Sequence, residues 1–182
     1  REPARIDHLA LAKRCPNVKH ATAGGTLHTR QEEHLRFGPR WRVLQETAYG
    51  NGEALACLRL PEAFVDDLPQ YGLHPALMDL ATGFAMDLIE GYSESTNLWV
   101  PVSYKRVACF GPLPAAIVSW VRNHGVNRAD GQFASFDITI ADESGRVLVE
   151  IEEFQIKRLS ESDTFGTAAP RALDSSGNDR QL

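Results

Sequence analysis

The chain has 182 residues, 43% of them hydrophobic, with a formal net charge of -5 and a pI near 5.7, enough apolar material for one domain with a real core. No basic run or aromatic-studded basic stripe offers the electrostatic footprint of a nucleic-acid binder. No apolar run approaches the roughly 18 residues of a membrane span, and the first residues lack the apolar core and cleavage site of a signal peptide, so a cytoplasmic protein is expected. In chain order, residues 1–28 mix polarities around a Gly24-Gly25 pair without sustained periodicity, which predicts an irregular lead-in or linker. Thr29 followed by Glu32 offers a capping box, predicting a short helix over 29–36 that stops before Gly38-Pro39. A strand over 41–48, a Gly50-Asn51-Gly52 turn and a strand over 53–60 predict a hairpin.

The stretch 71–91, YGLHPALMDLATGFAMDLIEG, reads as a buried helix. Pro75 suits its first position and Gly91 a left-handed cap at its end. Between them apolar side chains run nearly all the way round, as expected of a helix enclosed by protein. Asp79 would sit among them. A carboxylate buried there needs a partner, either a backbone N–H or a neighbouring hydroxyl such as Thr82, or else its desolvation makes it a general acid. Asp87, two turns further on and near the polar loop 92–97, reads as solvated.

Three further strands are predicted over 98–110, 115–123 and 133–141, all rich in β-branched and aromatic residues. After the turn Asp142-Glu143-Ser144-Gly145, the run 146–159 has the inward set Val147, Val149, Ile151 and then Phe154, Ile156. The alternation slips by one, as a β-bulge near Glu152 and Glu153 would make it. Residues 161–182, with Ser160 before them, have few apolar residues and read as a flexible linker or tail. Cys15, Cys57 and Cys109 are odd in number and form no CxxC pair, so neither a disulfide framework nor a thiolate zinc site is indicated. The pattern predicts an α+β hotdog fold over 29–160, one long helix wrapped by a curved antiparallel sheet of roughly five or six strands.

Four ordered pieces together resemble the C-terminal half of the dehydratase domain of modular type I polyketide synthases. HPALMD at 74–79 is similar to the family's His-Pro-Ala-Leu-Leu-Asp motif, and FGPRW at 37–41 to its Tyr-Gly-Pro-x-Phe motif. VPVSYKRV at 100–107 resembles the strand after the hotdog helix, and 136–159 resembles the closing hairpin. The resemblance covers roughly residues 30–160. It implies half of a double hotdog, with residues 1–28 as an inter-hotdog linker and Asp79 as the catalytic acid. The site would be shaped by His74, Pro75, Thr82, Gly83, Phe37, Gly38 and Pro39.

The family's catalytic histidine sits in the pattern His-x-x-x-Gly-x-x-x-x-Pro. His8, His20, His28, His34, His74 and His124 all lack that spacing, so the resemblance implies that the base comes from an N-terminal hotdog. His74 reads as a structural residue at the helix start, and His34, beside FGPRW, is placed to approach the channel. In the family the residue four positions after the Asp is commonly Gln or His. Gly83 stands there instead, leaving room for substrate, water or a bulky neighbour, with Thr82 as a substitute partner for the acid. Phe37 keeps the ring of the family tyrosine and loses its hydroxyl.

The reaction implied is loss of water from a 3-hydroxyacyl thioester, with no metal or redox cofactor. The substrate would arrive on the phosphopantetheine of an acyl carrier protein within a homodimeric synthase. An acid protonates the leaving hydroxyl, and free N–H groups at the helix start near Ala76 to Met78 polarise bound groups. Two alternatives stay open: a dehydratase-like module that has lost dehydration and serves as a structural or substrate-holding element, favoured by Gly83 and Phe37, and a free-standing hotdog acyl thioesterase.

Overall fold

The structure, a computed structural model, describes residues 4–95 and 97–159. Its framework is an antiparallel sheet that curls round one helix. In chain order come α1 (His8–Arg14), β1 (Asn17–His20), β2 (Leu44–Tyr49), β3 (Glu53–Arg59), α2 (Pro75–Gly83), β4 (Trp99–Ser103), β5 (Arg106–Cys109), β6 (Ala116–Asn123), β7 (Phe133–Asp142) and β8 (Val147–Arg158). The strand order is β1-β2-β3-β6-β7-β8-β4, with β5 also pairing β8. The predicted hotdog is therefore the fold, with eight strands rather than five or six.

Alternation explains how the sheet serves two cores. Ala54, Ala56 and Leu58 of β3, with Ile117 and Val121 of β6, face α2 and its buried Ala76, Leu77, Leu80 and Ala81. Leu55 of β3 and Val118 of β6 point the other way and pack with Leu11 and Cys15 of the α1 region. Ser119 is wholly buried, and its hydroxyl donates to the carbonyl of Ala81 at 2.7 Å. That bond satisfies a carbonyl in the last turn of α2, where helical partners run out.

The hairpin is found, with β2 and β3 joined through Gly52 at φ +69. The bulge is found as well. Ile138 pairs with Ile151 but Phe136 with Phe154, so β8 carries one extra residue, and Glu153 takes the positive φ of +49. Its N–H donates to the Asp137 carboxylate at 2.9 Å. Because of the bulge, Val147, Val149, Ile151, Phe154 and Ile156 all face the core.

Four expectations need correction. Residues 1–28 are not irregular throughout: Asp7 caps α1 by accepting from the Ala10 N–H at 3.0 Å, and β1 pairs antiparallel with β2. The segment is held because Leu11 and Cys15 cover the outer face of the sheet. The predicted strand 98–110 is two strands, both on β8, broken at Tyr104 and Lys105 opposite the bulge. The short helix over 29–36 is one 3-10 turn, Arg30–Glu33, in which the Thr29 N–H donates to Glu32 Oε1 at 3.2 Å. The long helix ends at Gly83 and continues as a 3-10 segment, Phe84–Leu88, before the left-handed Gly91 at φ +79. Glycine, the residue least held to helical geometry after proline, marks the change. The proposed tail, 161–182, lies outside the described residues.

Candidate functional site

FGPRW and HPALMD, far apart in sequence, meet at one carboxylate. Gly38 and Pro39 open a single 3-10 turn, Pro39–Trp41, closed by the Trp41 N–H on the Gly38 carbonyl at 3.0 Å. The turn carries the Trp41 indole to α2, where Nε1 donates to Asp79 Oδ2 at 2.7 Å. Phe37 lies parallel to Trp41, with ring centroids 6.3 Å apart, so the ring left without a hydroxyl serves as a stacking partner. In the sequence Trp41 is marked only by its place at the end of FGPRW and at the start of a strand pattern. The signal available was the general need of a half-buried indole N–H for an acceptor.

Asp79 is half-buried rather than set deep inside the helix core. It lies on the face of α2 that looks into a cavity of about 310 Å³ lined by Leu73, Met78, Thr82, Pro101, Tyr104 and Phe154, among others. The wall along β4 and β5 is open: Tyr104 and Val107 are 54% and 44% exposed. Tyr104 stacks on Phe154 at 5.4 Å between centroids. The cavity is thus a mainly apolar trough with one acid, Asp79, and two hydroxyl-bearing residues, Thr82 and Tyr104. Of the six histidines none lines it, His34 included.

Thr82 does not steady the acid. Its hydroxyl lies 3.1 Å from the carbonyls of both Met78 and Asp79, turned back onto its own helix. Nor does Gly83 leave an open space. A Cβ there would fall 2.9 Å from Oε1 of Gln31, whose side chain comes from the 3-10 turn Arg30–Glu33 and is only 6% exposed. Gln31 Oε1 is buried without a hydrogen bond. The bulky neighbour is therefore this glutamine, a contact that helix spacing could not reveal. At the helix start, Met78 N–H is already taken by the His74 carbonyl at 3.0 Å.

His74 precedes Pro75 at the start of α2 and is 1% exposed. Both ring nitrogens lack a hydrogen bond; Nε2 lies 3.6 Å from Asp67 Oδ2, beyond ordinary bonding reach. Asp87 is exposed, as expected, and accepts from the Tyr49 hydroxyl at 2.8 Å. Burial first, then the Asp87 charge, pushes the Tyr92 phenol up to about 12. Cys15, Cys57 and Cys109 are free thiols, and burial raises the pKa of Cys15 and Cys57. Among the described residues no group of three His, Cys, Asp or Glu could hold a metal ion, and no helix is long and apolar enough to cross a membrane.

Comparison with known families gives one decisive match. The model described as polyketide synthase dehydratase N-terminal domain covers residues 3–164. The chain belongs to the polyketide synthase dehydratase family. The dehydratase chain is 28% identical over 129 residues to polyketide synthase PksM of Bacillus subtilis (strain 168), covering 69% of this chain and 3% of that protein. PksN of the same organism is 26% identical over 147 residues, again 3% of its length. Among solved structures, the dehydratase domain of the CurK module of curacin polyketide synthase superposes with a TM-score of 0.71 at 21% identity, over 87% of this chain and 54% of that one. A trans-AT dehydratase domain from Brevibacillus brevis gives 0.72 at 21% identity, over 88% and 55%. This dehydratase chain spans about half the length of those domains. Inactive CurK dehydratase mutants have been solved in which a histidine or an aspartate is replaced.

Proposed function

We propose that this chain is the aspartate-bearing, C-terminal hotdog of a polyketide synthase dehydratase, removing water from a 3-hydroxyacyl thioester carried by an acyl carrier protein. The observation that carries this reading is Asp79, fixed through one oxygen by Trp41 at the side of an apolar trough. The matching family model bears the name of the N-terminal domain. The C-terminal assignment rests instead on HPALMD and FGPRW converging on an acid, and on the lack of the family's histidine pattern.

In this reading the base is a histidine of the other hotdog, docked against the open wall at β4 and β5. The histidine takes the α-proton, acidified by the thioester carbonyl. Asp79 gives its proton to the 3-hydroxyl as the C–O bond breaks, and water and the α,β-unsaturated thioester result. Leu73, Met78 and Phe154 line the path of the acyl chain, Phe37, Gly38 and Pro39 place Trp41, and the phosphopantetheine arm needs no resident cofactor. The host would be a cytoplasmic, homodimeric synthase.

The test joins this chain to its N-terminal hotdog and follows dehydration of a 3-hydroxyacyl carrier thioester. Asp79→Asn should abolish turnover and leave the fold intact; unchanged turnover would remove Asp79 from the mechanism. A second reading, a module that holds substrate without dehydrating it, is favoured by the side chains beside the acid: the position one turn after Asp79 is Gly83, packed against Gln31, and Phe37 stacks on Trp41 with no hydroxyl. It predicts that the joined wild-type halves bind the thioester and never release water.

A further inference from the structure

One residue outside both motifs touches both. Asp67 belongs to the 3-10 stretch Glu62–Gln70 between β3 and α2, which no sequence signal singled out. Its Oδ2 accepts from Arg40 Nε at 2.7 Å and stands 3.6 Å from His74 Nε2. Arg40 is the fourth residue of FGPRW, immediately before the tryptophan that holds Asp79. His74 is the first residue of HPALMD, immediately before the helix that carries Asp79. The same 3-10 stretch supplies Phe64, whose ring lies under the Arg40 guanidinium at 4.4 Å from its centroid. Arg40, itself solvent-exposed, is thus gripped from two sides, one charged and one aromatic.

The His74 ring makes the contact informative. It is enclosed, edge-on to Tyr71 at 5.7 Å between centroids, and has no hydrogen-bond partner. A buried polar ring left unpaired is unfavourable, and the Asp67 carboxylate is the acidic group that the structure places beside it. The hydrogen bond from Arg40 holds the Asp67 carboxyl below the usual carboxylate range, against some cost of burial, with the His74 ring pulling the same way. Asp67 is therefore an anion facing two cation-capable side chains, each one covalent step from an element that places Asp79.

We propose that Asp67 is a positioning residue of the Asp79 site, joining Arg40 of one motif to His74 of the other and so holding Trp41 against the acid. The proposal rests on the dehydratase reading for its consequence in turnover, and on geometry alone for its effect on Trp41. Asp67 does not line the trough. Its carboxylate fixes the 3-10 turn Pro39–Trp41 relative to the start of α2, and the 2.7 Å indole bond is the result of that registration.

The experiment uses the complete dehydratase domain, both hotdogs together, with nitrogen-15 label in tryptophan. The indole N–H signal lost in Trp41→Phe is assigned to Trp41, and its position is compared in wild type, Asp67→Asn and Asp67→Glu. In Asp67→Asn the signal should move upfield as the bond to Asp79 lengthens, and kcat should fall severalfold, up to the about tenfold expected when the indole N–H is lost altogether, with a smaller change in KM. Asp67→Glu, which keeps the charge, should recover part of both. A Trp41 signal that stays in place in folded Asp67→Asn overturns the proposal, whatever happens to thermal stability. Should Asp67→Asn not fold, Arg40→Gln removes the same bond from the other side and must move the same signal; an unmoved signal there overturns it equally. A signal that moves in a domain whose wild type performs no dehydration upholds the positioning role and refutes the dehydratase reading.

Discussion

Trp41→Phe tests the site at its narrowest point. The substitution keeps an aromatic ring to stack on Phe37 and removes the single N–H that engages Asp79. At 2.7 Å the lost contact is a short bond to a carboxylate, a class worth about 1.5–3 kcal/mol net when shielded from water. Both partners are only half-buried, so water replaces part of it, and the expected cost is about 1 kcal/mol. For a chain of this size that lowers the thermal midpoint by about 2–4 °C. In the joined dehydratase the consequence is kinetic: a carboxyl no longer held through Oδ2 samples other rotamers, and kcat should fall about tenfold, equivalent to about 1.4 kcal/mol. KM should change little, because Trp41 does not line the trough. Calorimetry on the chain and single-turnover kinetics on the joined halves measure the two numbers separately. A variant with wild-type midpoint and wild-type kcat would refute the claim that the indole holds the acid.

Two further substitutions probe how α2 is seated. Ser119→Ala removes the 2.7 Å donor to the Ala81 carbonyl in a wholly buried place and should cost about 1–3 kcal/mol in denaturant unfolding, because an acceptor is left unsatisfied; a midpoint equal to wild type would mean that the carbonyl finds another donor. Gly83→Gln drives a side chain into the space held by Gln31, where the Cβ alone meets Oε1 at 2.9 Å. Overpacking of about 1–3 kcal/mol should outweigh the ~1 kcal/mol gained by removing a helical glycine, and pairing it with Gln31→Ala should recover stability. Strictly additive effects in that double-mutant cycle would show that the two positions do not share the space.

Much of the fold was legible because it follows from local chemistry. The slip between Ile151 and Phe154 announced the bulge, since a strand whose buried face changes phase must absorb one residue. Pro75 marked the helix start for the same reason. What stayed hidden depends on partners distant in sequence. β1 has no buried residue, so it carries no alternation to read and exists because β2 offers it an edge. The break at Tyr104 is dictated by the bulge in β8 rather than by residues 98–110 themselves. The site divides in the same way. Asp79 stood out as an acid on an apolar helix, whereas Trp41, Gln31 and Asp67 act through contacts whose partners lie 38, 52 and 27 or fewer positions away.

The half-exposed state of Asp79 follows from the same architecture and bears on what the chain does. A sheet wrapped round α2 covers the helix on the faces of Leu77, Leu80 and Ala81 and stops short at β4 and β5, where Pro101, Tyr104 and Val107 are left exposed in the trough beside the acid. Apolar side chains gathered at the rim of a trough are the feature of a surface that is meant to be covered. Covering it would exclude water from the carboxyl and strengthen each electrostatic contact made there, which a proton transfer to a leaving hydroxyl requires. On the proposed reading the acid and its fixing indole are built within this chain, while the dry environment in which an acid is useful is built by the hotdog that docks on the open wall. On the proposed reading the second hotdog therefore brings the base and completes the acid in one step. A chain assayed alone should bind substrate weakly and turn none over, even with Asp79 and Trp41 in place.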